Sequence, residues 1–245
     1  MTTTAPNDAV AIIPARGGSK RIPRKNIREF AGKPMIAWSI KAALASGCFS
    51  RVIVSTDDDE IAAMAEAQGA SVPFRRPAVL SDDYTGTIPV VAHAIEWLAE
   101  QGEAPKAVCC LYATAPFVQP EDLFAGMKAL QENDVDYAFS VTSYAFPIQR
   151  ALRLTSEGRI AMFQPEYFTT RSQDLDEAWH DAGQFYWGRA DAWQRGSPIF
   201  SQRAVPVALP RHRVQDIDTP EDWHRAEWLF KAWQAEKQAA QKGHI

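Results

Sequence analysis

The stretch VAIIPARGGSKRIPRKN, Val10 to Asn26, decides the fold class and points to the chemistry. Its first five residues are apolar and rich in β-branched side chains, which suits a short strand buried on both faces. The twelve that follow turn abruptly polar and basic. Arg16, Lys20, Arg21, Arg24, Lys25 and Arg28 place 6 of the chain's 26 basic residues in thirteen positions. A doubly covered strand belongs to an α/β sheet, and loops leaving the carboxyl ends of such strands hold the ligands. Gly17 and Gly18 let backbone N–H groups approach an anion closely, and Ser19 adds a hydroxyl donor. Arginine and lysine heads can then neutralise a polyphosphate. The pattern is neither GxxxxGK[ST] nor GxGxxG, so the P-loop and dinucleotide fingerprints lack support. The bland alternative is a solvated basic turn. The paired glycines and the position after a buried strand weigh against it.

Outward from that stretch the chain alternates strand-like and helix-like segments. Spacing predicts a helix over Pro34 to Ala45 (PMIAWSIKAALA), a strand over Arg51 to Thr56, and a helix over Asp57 to Gln68. Asp57 and Glu60 have capping-box spacing. A helix over Ile88 to Ala99, a strand over Ala107 to Tyr112 (AVCCLY) and a helix over Pro120 to Gln131 follow. Such alternation predicts a Rossmann-like α/β architecture, a mostly parallel sheet with helices on both faces. Beyond about residue 140 the pattern loosens into short strands at Tyr137 to Thr142, Ala151 to Leu154, Ile160 to Phe163 and Gly183 to Gly188. Arg203 to Leu209 and Val214 to Ile217 read as extended, and Pro220 to Trp233 as a closing helix. The expectation is a single domain over 1–245 with a small insert around 143–182.

The 245 residues carry 30 acidic groups against 26 basic ones, a net charge of −4 that excludes a dedicated duplex nucleic-acid binder. A small anionic substrate needs only local charge and stays open. Cys48, Cys109 and Cys110 cannot form a fully paired disulfide framework, which implies a reducing compartment. The opening MTTTAPNDAV lacks the charged and apolar regions of a secretory leader, and no apolar run approaches the roughly 20 residues of a membrane span. A cytoplasmic protein without membrane association is expected.

Asp216-Ile217-Asp218 is the second constellation. On an extended segment alternate residues face one way, so both carboxylates can converge while Ile217 packs inward. Two hard oxygen anions at a strand end suit Mg²⁺. Alternatively Asp216 is solvated and Asp218 only helps start the helix at Thr219-Pro220-Glu221-Asp222. Asp57, Asp58 and Asp59 sit at a helix start, where capping is the expected role. Asp82 and Asp83, in the loop before a helix, are read as structural.

ARGGSKRIPRKN, followed by Ala31-Gly32-Lys33-Pro34, resembles the signature of the CMP-sialic acid synthetase family. VSTDDDEIA from Val54, RRPAVLSDD from Arg75, YATAPF from Tyr112 and QDIDTPED from Gln215 match in order, so the resemblance covers nearly the whole chain. FSVTSYAFPIQRAL, TRSQDL and HDAGQFYWG are similar to the branch that uses pseudaminic acid. The resemblance implies a nucleotide-diphospho-sugar transferase type of fold. It also implies transfer of CMP from CTP to the anomeric hydroxyl of an acidic nine-carbon sugar, with pyrophosphate released. Legionaminic and sialic acid stay as alternative sugars, and a non-catalytic nucleotide-binding module as an alternative function.

By the same resemblance, Arg16, Gly17, Gly18 and Ser19 hold the CTP triphosphate or base, and Lys25 contacts the reacting phosphate beside Asn26. Arg76 and Thr87 fall where the family contacts CTP, Thr87 replacing a common serine and keeping its hydroxyl. Asp216 and Asp218 bind the catalytic Mg²⁺. For the proton of the attacking hydroxyl, metal-bound hydroxide, Asp216 and the substrate's own arrangement all stay open. On the sugar side, Arg171 suits a carboxylate because a guanidinium binds it bidentately. Gln173, His180, Gln184, Tyr186 and Trp187 lie in the same region, the aromatic stretch reading equally as insert core or a dimer contact. The neighbouring Asp181 could orient His180, and a lone histidine is as readily a packed or surface residue. Tyr112 stands where sialic acid enzymes usually present glutamine, which favours a different substituent pattern. The resemblance also implies a homodimer whose insert reaches the partner's site.

Overall fold

The computed structural model describes residues 8–242. The opening residues 1–7, on which the leader reading rests, lie outside it. Strand β1 (Ala9–Pro14) is followed by the basic loop, a two-residue ribbon β2 (Glu29–Phe30) with β3 (Lys33–Pro34), and helix α1 (Met35–Ser46). Gly47, in the left-handed region at φ 65°, ends α1, a conformation glycine adopts without steric cost. Then come β4 (Arg51–Ser55), α2 (Asp59–Ala67), α3 (Thr87–Glu100), β5 (Ala107–Leu111), α4 (Pro120–Glu132) and β6 (Tyr137–Ser143). After an excursion the chain forms β9 (Trp179–Arg189), α5 (Ala190–Gln194), β10 (Ala204–Ala208) and α6 (Pro220–Lys242). Within the excursion lies a small hairpin of β7 (Leu152–Leu154) and β8 (Ile160–Met162).

The main sheet has the order β10-β6-β9-β5-β1-β4. β1 pairs in parallel with β4 and β5, and β10 in parallel with β6. β9 runs antiparallel between β5 and β6, so the mostly parallel sheet carries one reversed strand in its middle. That strand extends the expected Gly183 to Gly188 segment by several residues at its start. Val214 to Ile217, expected as extended, makes no ladder among the described residues.

The side chains of β1 explain the two covered faces. Ala11 and Ile13 pack with Ile36, Ile40, Ile61 and Leu123 from α1, α2 and α4. Val10 and Ile12 pack with Val91, Ile95, Leu98 and Trp193 from α3 and α5. A third apolar cluster fixes the site. Ile22 of the basic loop and Ile217 between the paired aspartates are both 1% exposed and share one core with Phe30, Trp223 and Phe230. Each such burial contributes about 1.5–3 kcal/mol, enough to hold two loops distant in sequence against each other. Cys48, Cys109 and Cys110 are free and buried. Among the described residues no helix is long and apolar enough to cross a membrane.

The excursion has another character. Tyr144, Phe146, Leu152, Leu154, Ile160, Phe163 and Phe168 are all exposed, although apolar. The expected insert of 143–182 is trimmed at both ends by the sheet, which claims Ser143 and Trp179 to Ala182.

Candidate active site

At the carboxyl ends of β1 and β5 lies a cavity of about 540 Å³. Its walls come from the basic loop, the 76–87 segment, Tyr112 to Thr114 and Asp218. Four of the six clustered cations face it: Arg16, Lys20, Arg21 and Lys25. The other two hold the loop in place. Arg24 donates to Asp58 at 2.5 and 2.9 Å and also pairs with Glu60, while the Arg28 guanidinium sits 4.8 Å over the Trp223 ring. Arg24 itself occupies the left-handed region at φ 57°, a strained place for a non-glycine that its three carboxylate contacts secure.

Each cavity cation is matched by a carboxylate from another element. Arg16 donates to the Asp82 carbonyl at 2.7 Å and to Asp83 at 2.6 Å, and Lys20 bridges to the same Asp83. Arg21 donates to Asp218 Oδ2 at 2.8 Å. Lys25 Nζ donates to the Ile217 carbonyl at 2.7 Å and to Asp218 Oδ1 at 3.2 Å. Its aim is therefore set by the irregular segment that carries the aspartates. Asn26 is buried and donates to the Arg16 carbonyl at 3.0 Å, so it shapes the loop as well as lining the cavity.

Arg76 is 6% exposed and donates through Nε to Ser81 at 3.1 Å. Its Nη2 has no hydrogen-bond partner and lies 3.8 Å from Asp57. Burial lowers its pKa, offset by Asp57. A buried guanidinium nitrogen without a partner costs free energy and calls for an acceptor on a ligand. Thr87 opens α3, whose N-cap Gly86 offers no side-chain cap, and both residues line the cavity. The first N–H groups of that helix thus sit at its edge, where they favour an anion.

The two glycines divide the work differently from expectation. The Gly17 N–H donates to Asp57 at 3.0 Å, and a Cβ at Gly17 would meet Asp58 Oδ2 at 2.6 Å. Gly17 is therefore required by the approach of the α2 start. A Cβ at Gly18 would meet nothing within 4 Å, and Ser19 lines the cavity. The cap of α2 also moves by one residue: Asp58, not Asp57, accepts from the N–H groups of Glu60 and Ile61. Arg24 holds the Asp58 carboxyl down to about 2.

A second cavity, about 550 Å³, adjoins the first across Tyr112, which lines both. Asp216, His180, Asp181, Tyr186, Gln215 and Arg225 line it. The paired aspartates thus straddle the boundary, with Asp218 on the first cavity and Asp216 on the second. Burial, then the neighbouring Asp218 charge, pushes the Asp216 carboxyl above the usual range. His180 Nδ1 lies 2.8 Å from the Asp181 carbonyl, so the backbone, not the Asp181 carboxylate, orients it.

The remaining sugar-side candidates are not brought together. Gln184 is interior and donates to the Arg213 carbonyl at 2.5 Å, while its Oε1 has no partner. Arg171 and Gln173 lie exposed in the excursion, and Arg171 pairs with Asp174 at 2.9 Å, away from both cavities. Asp83, read as structural, is the residue the sequence reading missed. Only its contact with Arg16 and Lys20, 67 and 63 residues away, reveals its place in the site.

A family model described as cytidylyltransferase matches residues 10–239. The chain is 46% identical over 222 residues to the pseudaminic acid cytidylyltransferase of Campylobacter jejuni subsp. jejuni serotype O:2, covering 91% of this chain and 96% of that protein. It is 32% identical over 229 residues to the CMP-N,N'-diacetyllegionaminic acid synthase of Legionella pneumophila, covering 91% and 96%. The solved structure of CMP:2-keto-3-deoxy-manno-octonic acid synthetase complexed with CTP aligns at a TM-score of 0.67 and 19% identity, covering 91% of this chain and 98% of that one.

Proposed function

The chain belongs to the cytidylyltransferase family, and from that premise we propose that it transfers CMP from CTP to the anomeric hydroxyl of pseudaminic acid, releasing pyrophosphate. One observation carries the nucleotide half: Arg16, Lys20, Arg21, Lys25 and the unsatisfied Arg76 converge on a single cavity. The identity to a pseudaminic acid enzyme over 91% of the chain supports the choice of sugar.

The reaction forms a bond from the sugar oxygen to the α-phosphorus and breaks the bond to pyrophosphate, so positioning and charge stabilisation dominate. Arg16 and Lys20 must let go of Asp83 to take the β- and γ-phosphates. Lys25, fixed by the Ile217 carbonyl, stabilises charge on the α-phosphoryl oxygens. Arg76 and Thr87 meet the nucleoside end. Tyr112 and His180 face the sugar across the cavity boundary, with Gln184 supporting the wall from inside.

Asp216 and Asp218 fit Mg²⁺ by the chemistry of the donor set: two hard carboxylates, one of them half-buried and held above its usual range by burial and then by the like charge of the other. The protein offers no cluster of three such ligands among the described residues, so phosphate and water would have to complete the shell. When bound, the ion supplies charge neutralisation to the triphosphate. Asp216 is the chain's own candidate for the proton of the attacking hydroxyl.

We read the chain as one cytidylyltransferase domain with an insert around 143–182 that serves a homodimer. The exposed apolar side chains of the excursion suit a second copy, and dimerisation would carry Arg171 and Gln173 to the other copy's sugar cavity. Three buried free thiols accord with a cytoplasmic enzyme.

The test is pyrophosphate release with CTP, Mg²⁺ and a panel of nonulosonic acids, with ATP, GTP and UTP as controls. Pseudaminic acid with CTP should give the highest kcat/KM. Higher turnover of legionaminic or sialic acid would reassign the sugar, and turnover of none would overturn the reading.

A further inference from the structure

The segment that carries Asp216 and Asp218 pairs with no strand among the described residues, so side chains must hold it. Two anchors flank Asp216. One residue beyond it, Ile217 is sunk in the cluster of Phe30, Phe117, Trp223 and Phe230. Three residues before it, Arg213 ends the single turn Arg211–Arg213 and supplies a charged anchor. Its guanidinium forks onto Asp122, Nη1 donating to Oδ2 at 2.5 Å and Nη2 to Oδ1 at 2.9 Å. Nη1 also reaches the Phe117 carbonyl at 3.4 Å, and the Arg213 carbonyl accepts from Gln184 Nε2 at 2.5 Å. Both partners are themselves fixed. Asp122 closes the capping box of α4 by accepting from the Gln119 N–H at 2.9 Å. Gln184 belongs to β9, and its carbonyl accepts from the Tyr112 N–H at 2.9 Å.

Apolar packing at Ile217 sets the depth of the segment, but the hydrophobic effect is not directional. A forked guanidinium–carboxylate pair fixes orientation as well as distance. The side chains of Arg213 and Asp122 are only 13% and 11% exposed. A pair so far out of water adds little net stability, because desolvation offsets attraction and an apolar pair of similar size does as well. What the charged pair adds is geometry. Neither residue lines the nucleotide or the sugar cavity, so any effect on the reaction passes through the aspartate segment.

Resting on the metal role proposed above for Asp216 and Asp218, we propose that Asp122 and Arg213 are positioning residues for the transfer. They set the register of the segment, so that Asp216 meets the sugar cavity and Asp218 the nucleotide cavity. Arg16, Lys20 and Arg76 make their contacts with other elements and do not depend on it.

The test compares wild type, Arg213→Lys, Arg213→Met and the double variant Arg213→Met with Asp122→Asn. Melting is followed together with the Mg²⁺ dependence of pyrophosphate release. CTP binding is measured by calorimetry without sugar, in EDTA and across a Mg²⁺ series. Arg213→Met strands a buried carboxylate and should melt lowest. The double variant removes that charge, keeps an oxygen for the α4 cap and should regain most of the lost melting temperature. Its half-saturating Mg²⁺ should nevertheless stand about tenfold above wild type, in turnover and in CTP binding alike. Its CTP affinity in EDTA should match wild type. Arg213→Lys, which keeps the charge without the fork, should fall between the two. Wild-type Mg²⁺ half-saturation in the double variant, or an equal loss of CTP affinity with and without Mg²⁺, would overturn the proposal. Wild-type turnover and CTP binding indifferent to Mg²⁺ would instead overturn the metal reading on which it rests.

Discussion

The basic loop at 15–28 and the excursion at 144–178 are opposites in how they satisfy their side chains. In the loop, Arg16, Lys20, Arg21, Arg24 and Lys25 each pair with a carboxylate from another element, and Ile22 anchors the whole in a shared core. In the excursion the charged pairs are local, as between Arg171 and Asp174, and large apolar side chains face outward. The first region is complete within one chain. The second leaves large apolar side chains uncovered, and its basic candidate for the sugar, Arg171, pairs with the nearby Asp174 and not with either cavity.

The comparison breaks most easily at Lys25. Lys25→Ala should lower kcat/KM by about a thousandfold through loss of charge stabilisation at the α-phosphate, measured by pyrophosphate release. Its melting temperature should fall by only a few degrees, because the change removes a partly exposed ion pair and one hydrogen bond. A near-normal rate would remove the loop from the chemistry. A sharper test mixes inactive Lys25→Ala with Arg171→Ala after unfolding and refolding together. If the excursion serves the other copy, random pairing restores about a quarter of wild-type sites. If Arg171 acts in its own chain, the mixture shows only the sum of the two residual activities.

The smallest effect tests how the loop is held. The Asp58 pKa is depressed to about 2, chiefly by Arg24, so this pair adds stability above the ordinary carboxylate range. That contribution is lost as pH falls from about 4 towards 2. Asp58→Asn keeps a capping oxygen for α2 but removes the charge. It should cost about 1 kcal/mol at pH 7, after discounting for solvent exposure, and flatten the acid limb of the stability curve. An unchanged acid limb would show that the Arg24 contact contributes nothing.

What sequence alone could read divides along the same line. β1, the alternation through α4 and the cation cluster were legible because each rests on local pattern: β-branched runs, helical spacing and glycine pairs. Ile217 packing inward also followed from alternation. The capping of α2 by Asp58 was not legible, since three consecutive aspartates offer three candidates and only the approach of Arg24 and Gly17 selects among them. Asp83 was invisible for a similar reason, its partners being more than sixty residues away. GQFYWG gave a strand but neither its length nor its direction, because partners on β5 and β6 decide both. Arg171 was chosen by residue type as a partner for a carboxylate, and type says nothing of its position, which packing beyond its own segment decides.

The reversed strand β9 has a consequence for biogenesis. β5 and β6 are synthesised well before residues 179–189, and until that strand arrives both present an open edge of unpaired backbone groups. Vectorial synthesis therefore yields a half-built sheet split down its centre, covered by helices α1 to α4. Long-range closure of that kind is slow, and an exposed edge invites pairing with another nascent chain. Truncation before residue 179 should give an aggregating product, and chaperone dependence in the cell should end when β9 closes the gap.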